Sequence, residues 1–158
     1  MKRIKICMLG LIACMLLFCG CGQQKETQVD YAGAIPTIME STAITDSLDE
    51  LDGDTAWALY GFGDAGLERE QLTNSVIYRS AGGSCEELAY LEFDSAEAAK
   101  TAQEALKTYL QNQIEENQDY RPQEIPKLEG AILQQSDTQV FLAVTADSEQ
   151  VETALQAK

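Results

Sequence analysis

The second half of the chain carries the most regular pattern of apolar and polar positions, and that pattern predicts a long amphipathic helix. No Gly or Pro interrupts the chain from Ser95 to about Asn117. Asp94 and Glu97 have the spacing of a capping box, so we expect Asp94 to open this helix. The apolar positions that recur at helical spacing are Ala98, Ala102, Leu106, Tyr109 or Leu110, and Ile114. This stripe predicts that the helix packs on a sheet as part of the core.

Two pairs of short strands are predicted, one pair on each side of the long helix. Residues 75–81 and 87–93 are separated by Gly82-Gly83-Ser84, which is a hairpin signal. Residues 131–135 and 139–145 flank a second short turn in the same way. The chain therefore contains two hairpins, each followed by a helical segment.

The resulting order is β-β-α-β-β-α, which predicts an α+β fold. The last helix would be capped by Asp147 and lined by Val151, Ala154 and Leu155. The simplest packing is an antiparallel four-stranded sheet built from the two hairpins, with the helices on one face. The other face would be partly open or covered by the segment near Trp57.

Short helices are predicted before the sheet. Residues 31–45 favour either a short helix opened by Pro36 or a loose segment packed on the core. Asp52 or Asp54 would cap a second helix over residues 55–60. Its buried side chains would be Trp57 and either Leu59 or Tyr60.

The acidic stretch from Asp46 to Asp54 invites comparison with a calcium-binding loop, but its spacing fails. With Gly53 in the sixth position of such a loop, Leu48 and Leu59 occupy the first and twelfth positions, where oxygen ligands are required. We therefore expect turns and helix caps there, and the sequence predicts no metal site and no cofactor.

The start of the chain has the pattern of an export signal. Lys2, Arg3 and Lys5 precede an uncharged run from residue 6 to residue 18, which is short for a membrane span of about 20 apolar residues. Phe18-Cys19-Gly20-Cys21 then resembles the lipobox of bacterial lipoproteins. Cleavage at Cys19, an uncleaved anchor and a plain signal peptide are the alternatives.

These features predict the division of the chain. Residues 1–20 would be a lipoprotein signal peptide, and Cys21 would carry a diacylglyceryl group on its thiol. Residues 21–34 would form the lipid anchor and a flexible tether, followed by a single α+β domain over residues 35–158. The expected location is the extracytoplasmic face of the cell membrane, held through lipid on Cys21.

Charge narrows the range of partners. The formal net charge of the 158-residue chain is −15, and the part after the predicted signal peptide carries 26 acidic and 8 basic residues. This balance disfavours nucleic acid and an anionic membrane surface as direct partners. It is typical of a well-solvated surface, and it also suits capture of cations or of a basic partner, for which the sequence shows no clustered site.

The histidine and cysteine content excludes several chemistries. The chain has no His, which removes Ser-His-Asp and Cys-His catalysis and every His-ligated metal site. If Cys21 carries lipid, Cys85 has no partner for a disulfide in the domain. Because Glu86 and Glu87 follow Cys85 directly, they would raise the pKa of its thiol and disfavour a reactive thiolate.

Aromatic side chains are the remaining candidates for a site. They either line a groove for a small ligand or pack half-buried on the sheet and helices. The groove candidates are Trp57, Tyr60, Tyr78, Tyr90 and Tyr120, with Tyr109 on the long helix as a further aromatic of the same kind.

Four segments carry a resemblance to a known family. They are Leu59-Tyr60-Gly61 before the first strand, Glu87-Leu88-Ala89 at the start of the second, Tyr120-Arg121-Pro122 after the long helix, and the apolar strand from Val140 to Val144. In this order, over about residues 48–157, the chain resembles the small lipoproteins of monoderm bacteria that carry domain of unknown function 4358. The resemblance implies the anchor and the fold, and it implies no activity, substrate or catalytic residue.

The expected function is therefore that of a non-catalytic, membrane-tethered binding or interaction module. Its partner would be an envelope protein or a small ligand. The alternatives are a carboxylate-dependent envelope hydrolase, which requires two facing acids with raised pKa in a concave pocket, and a simple spacer.

Overall fold

The computed structural model describes residues 29–157, so the predicted signal peptide and Cys21 lie outside the described residues. The elements, in chain order, are α1 (Tyr31–Met39), β1 (Leu48–Leu51), α2 (Gly53–Leu59), β2 (Leu72–Ser80), β3 (Glu87–Phe93), α3 (Ala96–Asn117), α4 (Ile125–Glu129), β4 (Ile132–Ser136), β5 (Gln139–Val144) and α5 (Ser148–Gln156). Within this range, none of the helices has the length and apolar character that a membrane span requires.

The sheet is antiparallel and has five strands in the order β1-β2-β3-β5-β4. The α+β class and the two hairpins are confirmed, but the prediction of four strands is wrong. The additional strand is β1, at an edge of the sheet and within the stretch that we expected to form turns and caps. Its four residues, Leu-Asp-Glu-Leu, pair with β2, with Leu51 opposite Ile77. The strand is too short and too acidic to give a strand signal of its own.

Helices cover both faces of the sheet, so the predicted placement on one face is wrong. The helices α2, α3 and α4 contribute to one core, together with inward residues of the strands such as Ala89 and Leu142. On the opposite face, α1 and α5 pack on residues such as Leu88 and Phe141. The central strands show the reason, because β3 is buried at six of its seven positions. A strand that is apolar on both sides needs a cover on both sides.

The first core is organised by α3, which has 22 residues and is about 33 Å long. Its capping residue is Ser95, whose hydroxyl accepts a hydrogen bond from the backbone N–H of Ala98 at 3.2 Å. Asp94 had been expected to open the helix, and it instead accepts a hydrogen bond from the Ser95 hydroxyl. Trp57 lies in this layer, half-buried beside Phe62. It therefore does not cover the opposite face.

The second layer begins earlier than expected. Asp30 caps α1, accepting a hydrogen bond from the N–H of Gly33, and Pro36 lies within the helix instead of opening it. Tyr31 stacks on Phe141 with 5.3 Å between ring centroids. The predicted boundary between tether and domain, at residues 34 and 35, thus falls inside a helix whose first residue is already buried.

Candidate functional site

The charged residues of interest lie where β2 and β3 meet the helices of the first layer. Glu86, Glu87 and Glu124 are each no more than 5% exposed. Buried carboxylates are rare unless they are paired, so the partners of these three decide what each one does.

Glu87 is enclosed by three donors. The hydroxyl of Tyr60 donates to its Oε1, the hydroxyl of Tyr109 donates to its Oε2 at 2.7 Å, and Arg79 Nε lies 3.3 Å from that same oxygen. Burial raises the pKa of Glu87, and these donors offset only part of that increase. Burial also raises the pKa of both tyrosines, with the Glu87 charge adding to the increase. The phenols therefore stay protonated, and both donate hydrogen bonds to Glu87.

A groove lies over the two tyrosines, between the loop after α2 and the helix α3. Its volume is about 330 Å³. We call it the tyrosine groove, and its lining residues are Leu59, Tyr60, Gly61, Asp64, Ala65, Ala105, Thr108, Tyr109 and Asn112.

The floor of the tyrosine groove is formed by two tyrosines that pack on each other. The rings of Tyr60 and Tyr109 meet edge to face, 5.1 Å apart and at 76°. Since both hydroxyls bond Glu87, they are engaged and not offered to a ligand as donors. Both side chains are largely buried. Gly61 turns the chain along the wall with a φ of +66°, in the left-handed region that favours glycine. This is a pre-formed concavity with an aromatic floor and a polar rim.

Glu86, the neighbour of Glu87, serves a different network. It accepts hydrogen bonds from the backbone N–H groups of Thr45 and Asp46 at 2.8 and 2.9 Å, and Lys127 Nζ lies 2.9 Å from its Oε1. Burial alone would raise the pKa of Glu86, but these donors outweigh burial and lower it. The carboxylate thus ties the segment before β1 and the helix α4 to the sheet.

Glu124 completes that second network. Lys127 Nζ lies 3.2 Å from its Oε2, which also accepts the backbone N–H of Cys85 at 2.9 Å. Burial lowers the pKa of Lys127, and the two carboxylates raise it by more, so the ammonium stays charged. Cys85 itself is buried, and burial raises the pKa of its thiol. This network of buried, paired charges is typical of a structural role. We call the network of Glu86, Glu124 and Lys127 the Glu86 clamp.

The two adjacent buried acids have opposite pKa shifts. The pKa of Glu87 is raised and that of the adjacent Glu86 is lowered, and Tyr60 and Tyr109 separate Glu87 from the tyrosine groove. Between residues 29 and 157, no three acidic or cysteine side chains are grouped so as to hold a metal ion.

The structure separates the aromatic residues that the sequence offered for one groove. Tyr60 lies in the tyrosine groove, with Tyr109 opposite it, and Trp57 is nearby under Arg69, whose guanidinium carbon is 5.8 Å from the ring centroid. Tyr78 and Tyr90 belong to the opposite face of the sheet. Tyr120 follows α3 and is 88% exposed.

The remaining groove residues were missed by sequence reasoning. Asp64, Thr108 and Asn112 are exposed polar residues without a motif, and only the packing of α3 beside the loop brings them together. One signal was present, because two segments that carry the family resemblance supply Tyr60 and Glu87, which are bonded to each other.

The fold and the site define a small α+β domain with a groove lined by two tyrosines. A family model described as Domain of unknown function (DUF4358) matches residues 48–145, more than half of the chain. The protein belongs to this family. The match spans β1 to β5 and therefore includes the tyrosine groove, whereas α1 and α5 lie outside it. Comparisons with curated proteins and with solved structures found no significant match.

Proposed function

We propose that this protein is a lipid-anchored extracytoplasmic binding module and that the tyrosine groove is its binding site. The observation that carries the proposal is the floor of that groove. A buried carboxylate, Glu87, holds Tyr60 and Tyr109 in place from behind, so the concavity exists before any ligand arrives. Preorganisation of this kind reduces the entropic cost of binding.

The anchor is supported by the leader and by its distance from the domain. The basic start, the uncharged run and the Gly20-Cys21 boundary fit a lipoprotein signal. Since α1 begins at Tyr31, ten residues after Cys21, the intervening chain can reach at most about 35 Å. The domain would therefore work close to the membrane, where its ligand or partner protein must also be present.

A non-catalytic role is supported by the placement of Glu87, a buried acid whose pKa is raised. A general acid must reach the substrate. The carboxyl group of Glu87 is buried, and each of its oxygens is bonded to a tyrosine hydroxyl. The envelope hydrolase, our second candidate, would require the groove to open down to Glu87. It predicts that Glu87→Gln abolishes hydrolysis while binding in the groove persists.

The anchor is tested by metabolic labelling with palmitate and by membrane fractionation of the full chain. We expect wild type and Cys19→Ala to be labelled and to sediment with membranes, and Cys21→Ala to lose the label. If Cys19→Ala loses the label and Cys21→Ala keeps it, the proposed anchor residue is wrong.

The groove is tested by filling it. Ala105 lines the tyrosine groove, so Ala105→Trp should block it, whereas Gln111→Trp places the same side chain on an exposed part of α3 outside the lining. Ligands recovered from intact envelopes with wild type and with Gln111→Trp should be absent with Ala105→Trp. Identical recovery with all three proteins would remove the groove from the proposal.

A further inference from the structure

We infer that the tyrosine groove binds a small organic cation, an amine or quaternary ammonium group on a short apolar body. This inference rests on the proposed binding function and assigns it a class of ligand. The net negative charge of the chain had suggested cation capture without a site, and the groove supplies one.

The charge of the lining favours a cationic ligand. Asp64 is the one charged side chain among the nine lining residues, and none of them is Lys or Arg. Arg79 lies behind the floor, where it is paired with Glu87. An anionic ligand would lose its hydration without gaining a cationic partner, whereas an ammonium group would gain Asp64.

The chemistry of the floor and rim suits an amine on an apolar body. Tyr60 and Tyr109 line the groove and are only 3% and 7% exposed, and their hydroxyls are engaged with Glu87, so they offer a ligand apolar contact. Thr108 and Asn112 on the rim carry side-chain oxygens that accept hydrogen bonds from N–H groups. The rings can contact the apolar part of an amine, and the rim oxygens can accept hydrogen bonds from its ammonium group.

The volume of the groove and the net charge of the chain both favour a small cation. A volume of about 330 Å³ lies at the lower end of the roughly 300–1,000 Å³ found for ligand pockets, so the ligand must be small. A formal net charge of −15 raises the local concentration of cations around the protein, and this effect weakens as salt is added.

The test is a calorimetric titration of the full-length protein in detergent with three ligands of similar length. These are 1,5-diaminopentane, the neutral 1,5-pentanediol and the dianion glutarate. We expect saturable binding of the diamine, weaker binding of the diol and none of glutarate. Ala105→Trp should abolish diamine binding and Gln111→Trp should leave it unchanged.

A charge-neutralising variant identifies the contact. Asp64→Asn should weaken diamine binding roughly threefold to fivefold, as expected for an exposed ion pair, and Asp119→Asn, an exposed acid outside the lining, should have no effect. Absence of diamine binding, or equal binding of the diol or glutarate, would overturn the inference. The proposed binding function would still stand if ligands recovered from envelopes depended on an open groove.

Discussion

At the scale of single residues, two adjacent glutamates perform different tasks. Glu87 joins the C-cap of α2 to α3 and β2 through Tyr60, Tyr109 and Arg79, and its pKa is raised by burial. Glu86 joins the segment before β1 to α4, and its pKa is lowered by its donors. Both acids stand out in the sequence because they follow Cys85. Their partners are up to 41 residues away in the chain, so no local pattern indicates them.

Removal of one hydroxyl tests the Glu87 cluster. Tyr109→Phe keeps the ring of the groove floor but takes a donor from a buried carboxylate, so we expect a loss of about 1–3 kcal/mol in the free energy of unfolding. Tyr120→Phe, at an exposed tyrosine, is the control and should change stability little. Urea unfolding measures both, and equal stability of the two variants would contradict the role of the cluster.

Acid should weaken the Glu86 clamp. Because the pKa of Glu86 is lowered in the folded protein, its contribution to stability is present above the usual value of 4.5 and is lost as the pH falls below that value. The decline in melting temperature from pH 6 to pH 3 should therefore be shallower in Glu86→Gln than in wild type.

Other carboxylates add to this acid sensitivity, so the slope should decrease without vanishing. Asp46, Asp52 and Asp147 also have lowered pKa values, from hydrogen bonds to side chains and to backbone N–H groups. Glu152→Gln, at an exposed site on α5, is the control and should retain the wild-type slope. A Glu86→Gln slope as steep as that of wild type would show that the clamp is not the cause.

At the scale of elements, the strength of each local pattern decided what could be predicted. The long uninterrupted stripe of α3 and the four hairpin strands gave the right elements with bounds within a few residues. The four-residue β1 was missed because its charged centre gives no strand signal. For α1, Pro36 suggested a helix start, but the helix tolerates Pro36 in its interior because Ile35 and Ile38 are buried against the sheet.

The cap of α3 distinguishes two neighbouring residues. Ser95→Ala removes the hydroxyl that accepts the N–H of Ala98 and should lower the free energy of unfolding by about 0.5–2 kcal/mol. Asp94→Ala removes only a hydrogen bond to that hydroxyl and should have a smaller effect. Chemical denaturation of the two variants ranks them, and a larger loss for Asp94→Ala would favour the capping residue expected from the sequence.

The contribution of α1 is measured through its most buried side chains. Ile35 is 1% exposed, so Ile35→Ala should lower the free energy of unfolding by about 2–5 kcal/mol. Thr37→Ala, at an exposed site on the same helix, should be nearly neutral. If both variants unfold like wild type, α1 is not an integral layer and the domain begins later in the chain.

At the scale of the whole molecule, the α+β class and the antiparallel sheet were predicted from the sequence, but the second helical layer and the tyrosine groove were not. The two walls of the groove, residues 59–65 and residues 105–112, are about 40 positions apart in the sequence and share no motif. Of the aromatic residues singled out for a groove, Tyr60 and Tyr109 are found there. The leader predicts where the protein resides, and the groove supplies the proposed reason for placing it there.

Native mass spectrometry of the protein as extracted from membranes in detergent tests the proposed function most directly, since one spectrum reports both the anchor and the ligand. We predict a chain that begins at Cys21, carries a diacylglyceryl group and retains a small non-covalent ligand that Ala105→Trp lacks. The proposed function would be contradicted by a chain that keeps its leader or carries no lipid and that retains no ligand beyond those found with Ala105→Trp.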